Sequence, residues 1–243
     1  MSSIVDERGF NQGFELSGAQ KVRLRRRARA IAFEMCLPTE RGDRLGVHIL
    51  ELGCGTGELA FELANITGAR VTGIDRSQKF IDYASVNHPH PNLRFLVAEV
   101  SDSSPSSAQE KYDYVVGNGI LHHLYYRLDN FLPLLAHWLV PGGRLIFWEP
   151  NLQNPYVLLI FKVPALRRIA RLEPEEMAFS PKFIRQKLTA AGFVEVRAIT
   201  LDFLLPNIPT RLISYAIKIG DFLEKLPAVR WCAQSIFLTA TAR

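Results

Sequence analysis

Short apolar runs and helical apolar stripes follow one another along this chain, each bounded by polar or turn-forming residues. Val47, Ile49, Leu50 and Leu52 form the first run, which predicts a buried strand. Glycines stand at 53, 55 and 57. Residues 58–65 then carry Leu59, Ala60, Phe61, Leu63 and Ala64, a helix with a broad apolar face. Residues 70–75 predict a second strand, and residues 77–86 a helix with Phe80, Ile81 and Ala84 inward and Ser77 as its cap. Residues 93–97 and 112–118 predict the third and fourth strands. A helix capped by Asp129 follows, with Phe131, Leu132, Leu135, Ala136 and Leu139 inward and Pro133 in its first turn. Pro141-Gly142-Gly143 predicts a tight turn into a fifth strand at 144–149. Ser180 and Pro181 open another helix, with Phe183, Ile184, Leu188 and Ala191 inward, and Gly192 ends it. Strands at 193–200 and 235–241 close the chain. Such alternation predicts an α/β fold: a doubly wound, mostly parallel sheet with helices on both faces.

Three stretches exceed this minimal pattern. Residues 1–16 read as a loose arm with Phe10 and Phe14 as its large anchors, and Ser17 caps a helix reaching about Leu37, where Pro38 stops it. That helix carries Lys21, Arg23, Arg25, Arg26, Arg27 and Arg29, and its apolar positions only partly form one stripe. It suits either a basic surface for phosphates or an anionic membrane face, or a solvated outer helix packed over the sheet. Residues 155–164 are strongly apolar and run into the basic 166–171, which suits a membrane interface or a lid whose apolar face is buried. Residues 201–230 suggest an added helical flap that shapes an apolar acceptor pocket, a dimer contact or a membrane-facing patch. The expected organisation is one domain over 1–243: an arm and cap helix (1–46), a ligand-binding core (47–149) and inserts at 150–180 and 201–230.

The 243 residues suffice for one such domain, and 48% hydrophobic content argues against disorder. No run of about 18 apolar residues predicts a spanning helix, and the opening residues lack the apolar core of a signal peptide. Cys36, Cys54 and Cys232 form no C-x-x-C pair, so neither a disulfide frame nor a zinc site is suggested, which fits a reducing cytoplasm. A net charge of +5 permits anionic partners without naming one.

The chemistry gathers at the first glycine turn. Its spacing is G-x-G-x-G, not the G-x-G-x-x-G of a dinucleotide site, and Glu51 stands two residues ahead of it. An acid would repel a pyrophosphate but suits a ligand carrying an ammonium and a sulfonium. The unpaired N–H groups of the following helix suit a carboxylate or phosphate. Asp75 ends the second strand about 20 residues past the turn, where an acid can accept from two ribose hydroxyls.

This stretch resembles the first motif of the class I methyltransferases that use S-adenosylmethionine. Leu139-Val140-Pro141-Gly142-Gly143 resembles a late motif of the same family. The resemblance implies seven strands in the order 3-2-1-4-5-7-6, the last antiparallel. It also implies a cofactor set of Glu51, Gly53, Cys54, Gly55, Gly57, Asp75, Arg76, Glu99, Val100 and Asn118. Glu99 stands where the family usually places an acid for the adenine amino group, with Asp102 as the fallback. The implied reaction is methyl transfer by in-line displacement from a sulfonium, in which the protein aligns the reactants and excludes water. An oxygen acceptor would also lose a proton, for which His122, His123 and Glu149 are the candidates. The adjacent histidines lack the i, i+4 spacing of a helical metal site, and no metal is expected. The expected partner is a small-molecule acceptor, such as a sugar, polyketide or lipid-linked intermediate. Residues 118–121 lack the Asn/Asp-Pro-Pro-aromatic tetrad of base methyltransferases, so nucleic acid is the lesser alternative, beside a non-catalytic cofactor-binding subunit. Peripheral contact with the inner face of a membrane, and a monomer or a homodimer, are left open.

Overall fold

Buried β-rich runs joined by amphipathic helices place their strands side by side. In the computed structural model, which describes residues 4–7, 12–13, 17–37, 43–100, 110–205 and 208–243, these strands form one seven-stranded sheet. They are β1 (His48–Leu52), β2 (Arg70–Asp75), β3 (Leu93–Val97), β4 (Tyr112–Asn118), β5 (Leu139–Pro150), β6 (Val194–Leu201) and β7 (Ser235–Thr241). Their spatial order is β3-β2-β1-β4-β5-β7-β6, with β7 antiparallel to both neighbours, as the family resemblance implies.

Alternate residues of each central strand enter opposite layers, as a period of two requires. Leu50, Val115 and Leu145 meet α4 (Leu128–Trp138) and α7 (Pro181–Ala190) through Leu132, Leu135, Ile184 and Leu188. Ile49, Val116 and Ile146 meet α1 (Gly18–Glu34) and α2 (Glu58–Thr67) through Ala28, Ile31, Leu59 and Leu63. Ser17 and Gln20 form a reciprocal capping box on α1, and Ser77 and Ser180 cap α3 (Gln78–Asn87) and α7 as their positions suggest.

Three local expectations are corrected. Asp129 does not cap α4: a 3-10 turn, Leu121–Arg127, feeds straight into the helix, and the Asp129 carboxylate instead takes Lys187 Nζ at 2.7 Å. Because α4 starts at Leu128, Pro133 lies inside it and not in its first turn. Pro141-Gly142-Gly143 does not precede the fifth strand but lies within it. Tyr112 pairs with Leu139 and Tyr114 with Arg144, so the register jumps and the extra residues are absorbed as a bulge, with Gly142 at φ +78°. Phe10, Phe14, Pro38 and Asp102 lie outside the described residues.

The cations of α1 divide. Lys21, Arg25 and Arg29 face outward, but Arg23 and Arg27 turn in toward the sheet's carboxyl edge. Arg27 donates to Asp202 Oδ2 at 2.8 Å and to Asn118 Oδ1 at 2.6 Å, and lies 5.0 Å over the Trp148 ring. Arg23 Nε donates to the same Asp202 oxygen at 2.5 Å. Burial, then the Arg23 charge, lowers the Arg27 guanidinium to about 10. Burial pushes Asp202 up, yet the charges of Arg27 and Arg23 leave it below the ordinary 3.8. A carboxylate lowered by folding adds stability above its unfolded value and loses it as pH falls through its folded value. Denaturant titrations should therefore show Asp202→Asn less stable than the parent at neutral pH, with the difference shrinking as the pH falls below about 4.

The first insert folds as α5 (Pro155–Lys162) and α6 (Pro164–Ile169). Val157 and Phe161 are buried against Ala178, while Tyr156 and Leu159 stay exposed. The second carries α8 (Ile213–Leu223) and α9 (Pro227–Arg230).

Candidate active site

The turn after β1 runs through left-handed backbone at Gly53, Gly55 and Gly57. Two of these glycines do different work. Gly55 lines a cavity of about 510 Å³, and a Cβ there would meet no atom of the described residues within 4 Å, so a side chain would take up ligand space. Gly57 is a packing position: its Cβ would come within 2.6 Å of Phe95 Cζ and 2.8 Å of Ala84 Cβ, at φ +88°. Left-handed strain and overpacking together should make Gly57→Ala cost roughly 2–4 kcal/mol, readable as a lowered denaturation midpoint.

Glu51 sits beneath this turn and does not reach the cavity wall. The start of α2 falls on a glycine and has no side-chain cap, and Glu51 accepts from the N–H of Ala60 in its place. Its Oε2 is buried without a hydrogen-bond partner among the described residues. Burial, then the charges of Glu58 and Asp75, pushes the carboxyl well above its usual range. Cys54 is likewise buried off the cavity, its thiol pushed up first by burial and then by Glu51.

Asp75 does line the cavity. Its Oδ2 accepts from Gly55 N at 3.0 Å and its Oδ1 from Ser77 N at 2.9 Å, which fixes the carboxylate against the glycine turn. Burial is the largest influence on it and holds it above the ordinary value, only partly offset by those two N–H groups. Hydroxyl donors or a cation would relieve it. Gly53, Arg76, Glu99 and Val100 share the wall, together with Gly119 and Ile120 after β4. Asn118 does not: its amide oxygen is taken by Arg27, because α1 crosses the sheet edge at that point.

Beyond Asn118, Glu149 at the end of β5 organises the next turn. Its carboxylate accepts from the backbone N–H groups of Ile120 and Leu121 at 3.0 and 2.7 Å and lies 2.9 Å from His122 Nδ1. Both Glu149 and His122 are buried and off the cavity wall. His123 faces the cavity. Its Nδ1 lies 2.7 Å from Glu176 Oε1, and Glu176 Oε2 is buried without a hydrogen-bond partner among the described residues. Burial lowers His123, but the hydrogen bond and charge of Glu176 outweigh it and leave the imidazole above 6.5.

Residues 152–172 contain no acid, and the run Glu173-Pro174-Glu175-Glu176 then supplies three. Each meets a cation of the core: Glu173 with Arg76 at 2.5 Å, Glu175 with Arg127 at 2.9 Å, and Glu176 with His123. Glu173, Pro174, Glu175 and Arg127 therefore border the cavity, and the sequence analysis missed all of them. The abrupt acidic run after a basic insert was the available signal. His122, His123 and Glu176 bring donor atoms within 4.8 Å of one another, but both Nδ1 atoms are already engaged by carboxylates.

The cavity suits S-adenosylmethionine on the residues present: a bare turn at Gly55, a buried carboxylate at Asp75 fixed by two N–H groups, and Glu99 on a wall where Asp6 and Glu173 are paired with Arg76. The methyltransferase domain family matches residues 49–143. The trans-aconitate 2-methyltransferase of Delftia acidovorans is 30% identical over 137 residues, 56% of this chain and 45% of that protein. The ubiquinone biosynthesis O-methyltransferase of Sinorhizobium medicae is 28% identical over 158 residues, 64% of this chain and 63% of that protein. The chain thus spans less than two thirds of either relative's length. An S-adenosylmethionine-dependent methyltransferase structure from Mesorhizobium loti superposes with a TM-score of 0.61 at 18% identity, over 90% of this chain and 99% of that one, a likeness of fold. Residues 49–143 thus carry a methyltransferase domain, and the strand order around the glycine turn over Asp75 is that of the class I, Rossmann-like methyltransferase fold.

Proposed function

We propose that the protein transfers a methyl group from S-adenosylmethionine to a hydroxyl of a small molecule, with His123 removing the proton. The observation that carries this reading is one cavity with Gly55 and Asp75 on its wall together with His123, itself paired to a buried glutamate. The cofactor supplies an electrophilic methyl on a sulfonium that leaves readily. Gly53 and Gly55 let the main chain approach it, Asp75 accepts from its ribose, and Glu99 borders the adenine end. The His123 Nδ1–H donates to Glu176, which leaves Nε2 to take the acceptor's proton. Glu149 positions His122 and the turn at 120–122, and acts on the chemistry only through them. The oxygen chemistry named for the Sinorhizobium relative supports the same choice of atom. A sugar, polyketide or lipid-linked hydroxyl fits, the last two meeting Phe80, Ile120 and Leu124 on the cavity wall.

Incubation with S-adenosylmethionine and a panel of phenols, polyketides and sugar alcohols, read as S-adenosylhomocysteine release, tests the activity. An acceptor found this way should show kcat/KM rising with pH through the raised His123 value, because only the neutral imidazole takes a proton. Glu176→Gln should move that limb to lower pH, since the charge that lifts His123 is gone. His123→Asn should cost on the order of 100-fold or more while S-adenosylhomocysteine still binds. Turnover indifferent to His123 would contradict the assignment.

A further inference from the structure

Helix α8 is covered on one side only. It runs alongside α1: a Cβ at Gly18 would lie 3.2 Å from Thr210, and Arg26 pairs with Asp221 at 2.5 Å. Ile213, Ala216 and Ile217 pack inward on Ala19, Val22 and Leu204. On the other side stand Leu212, Tyr215, Ile219 and Phe222, which are 46%, 64%, 60% and 60% exposed. Their spacings of three, four and three make one continuous stripe on a helical surface. Isolated exposed apolar residues are ordinary, but an unbroken row of four large ones is not.

The charges beside the stripe decide what it fits. Arg211, Lys218 and Lys225 are exposed: Arg211 in the 3-10 turn that leads into α8, Lys218 within the helix and Lys225 in the turn just past its end. Arg211 and Lys218 stand four residues before Tyr215 and Phe222, beside the apolar row. No acid occurs from residue 203 to 220. Asp221 is held by Arg26, and the Glu224 carboxylate accepts from the Asp202 N–H at 2.8 Å. Two copies of the chain meeting on this stripe would bring these cations together with no acid of that stretch to separate them. Among the described residues no helix is long and apolar enough to cross a membrane, so a lipid contact here lies in the plane of the interface.

We propose that α8 docks the protein on an anionic lipid surface, with Leu212, Tyr215, Ile219 and Phe222 entering the headgroup–acyl boundary and Arg211, Lys218 and Lys225 reaching lipid phosphates. This surface is independent of the methyl-transfer reading and is tested without cofactor. The full chain is sedimented with phosphatidylcholine vesicles and with mixed phosphatidylcholine–phosphatidylglycerol vesicles, at low and high salt. Binding should require phosphatidylglycerol and weaken as salt rises. Lys218→Ala with Lys225→Ala should reduce partitioning by about tenfold or more, at exposed positions where an alanine leaves folding intact. Ile219→Ser with Phe222→Ser should abolish it, with an unchanged circular dichroism spectrum confirming the fold. Equal binding to neutral vesicles, parent-like sedimentation of both variants, or a parent dimer that Ile219→Ser with Phe222→Ser dissociates, would each overturn the proposal.

Discussion

Asp75→Ala is expected to weaken S-adenosylhomocysteine binding by on the order of 100-fold. A charged acceptor is worth about 1.5–3 kcal/mol per hydrogen bond, and two ribose hydroxyls meeting one carboxylate exceed the 2.7 kcal/mol or so that a hundredfold represents. The same substitution frees Gly55 N and Ser77 N, which the carboxylate now holds at 3.0 and 2.9 Å, so the turn loosens as well. Asp75→Asn separates the two effects. It keeps the volume and one acceptor oxygen but loses the charge, and should fall between the parent and the alanine variant. Burial holds Asp75 above the ordinary carboxylate range, whereas hydroxyl donors favour its ionised form. Affinity should therefore decline on acidification, beginning at a higher pH than an ordinary aspartate would require. Isothermal titration across pH reads all three outcomes.

Arg27→Ala should be among the most damaging single changes away from the cavity. It removes a buried guanidinium that joins α1, Asn118 and Asp202 and lies over Trp148. Breaking a buried pair leaves its partner uncompensated and costs roughly 3–5 kcal/mol. Arg23 still faces Asp202 at 2.5 Å, so the lower end is expected: about 3 kcal/mol, or a melting temperature lower by roughly 6–12 °C in a chain of this size. Arg27→Lys should recover only part of this, because an ammonium cannot span Asn118 and Asp202 as a planar fork does. Asp202→Asn combined with Arg27→Ala should be less harmful than the sum of the two, since they share one contact. A melt unchanged in Arg27→Ala would contradict a stabilising role for the Arg27 contacts to Asn118 and Asp202.

Local chemistry was legible in the chain, and distant pairing was not. The doubly wound sheet follows from alternating periods, the strand order was implied only by the family resemblance, and the glycine turn with Asp75 could be read because strand, turn and acid stand at fixed offsets within about 25 residues. Within that motif, however, sequence could not separate the residue that faces the ligand from those that face the protein. Gly55 borders the cavity, whereas Gly57 packs on Phe95, Cys54 is buried and Glu51 holds the start of α2. Arg27 and Asp202 are 175 positions apart, and Arg76 and Glu173 are 97 apart, separations that no periodicity announces. For that reason α1 read as either a basic surface or a solvated outer helix packed over the sheet, the insert as a membrane contact or a lid, and Asn118 was expected at the ligand and not under an arginine. Asp129 resembled a cap by type and place, but a cap needs a free first turn, and the 3-10 segment before α4 occupies it. The outward face of α8 shows the same limit from the other side: the helix could be read, but which of its faces α1 would cover could not.

The most direct test is a crystal structure with S-adenosylhomocysteine. The account predicts ribose hydroxyls within hydrogen-bond distance of the Asp75 carboxylate, the chain of Gly53 to Gly55 against the amino-acid portion, and the sulfur directed toward the His123 side of the same cavity. A nucleoside bound elsewhere, with Asp75 still held only by Gly55 and Ser77, would contradict it.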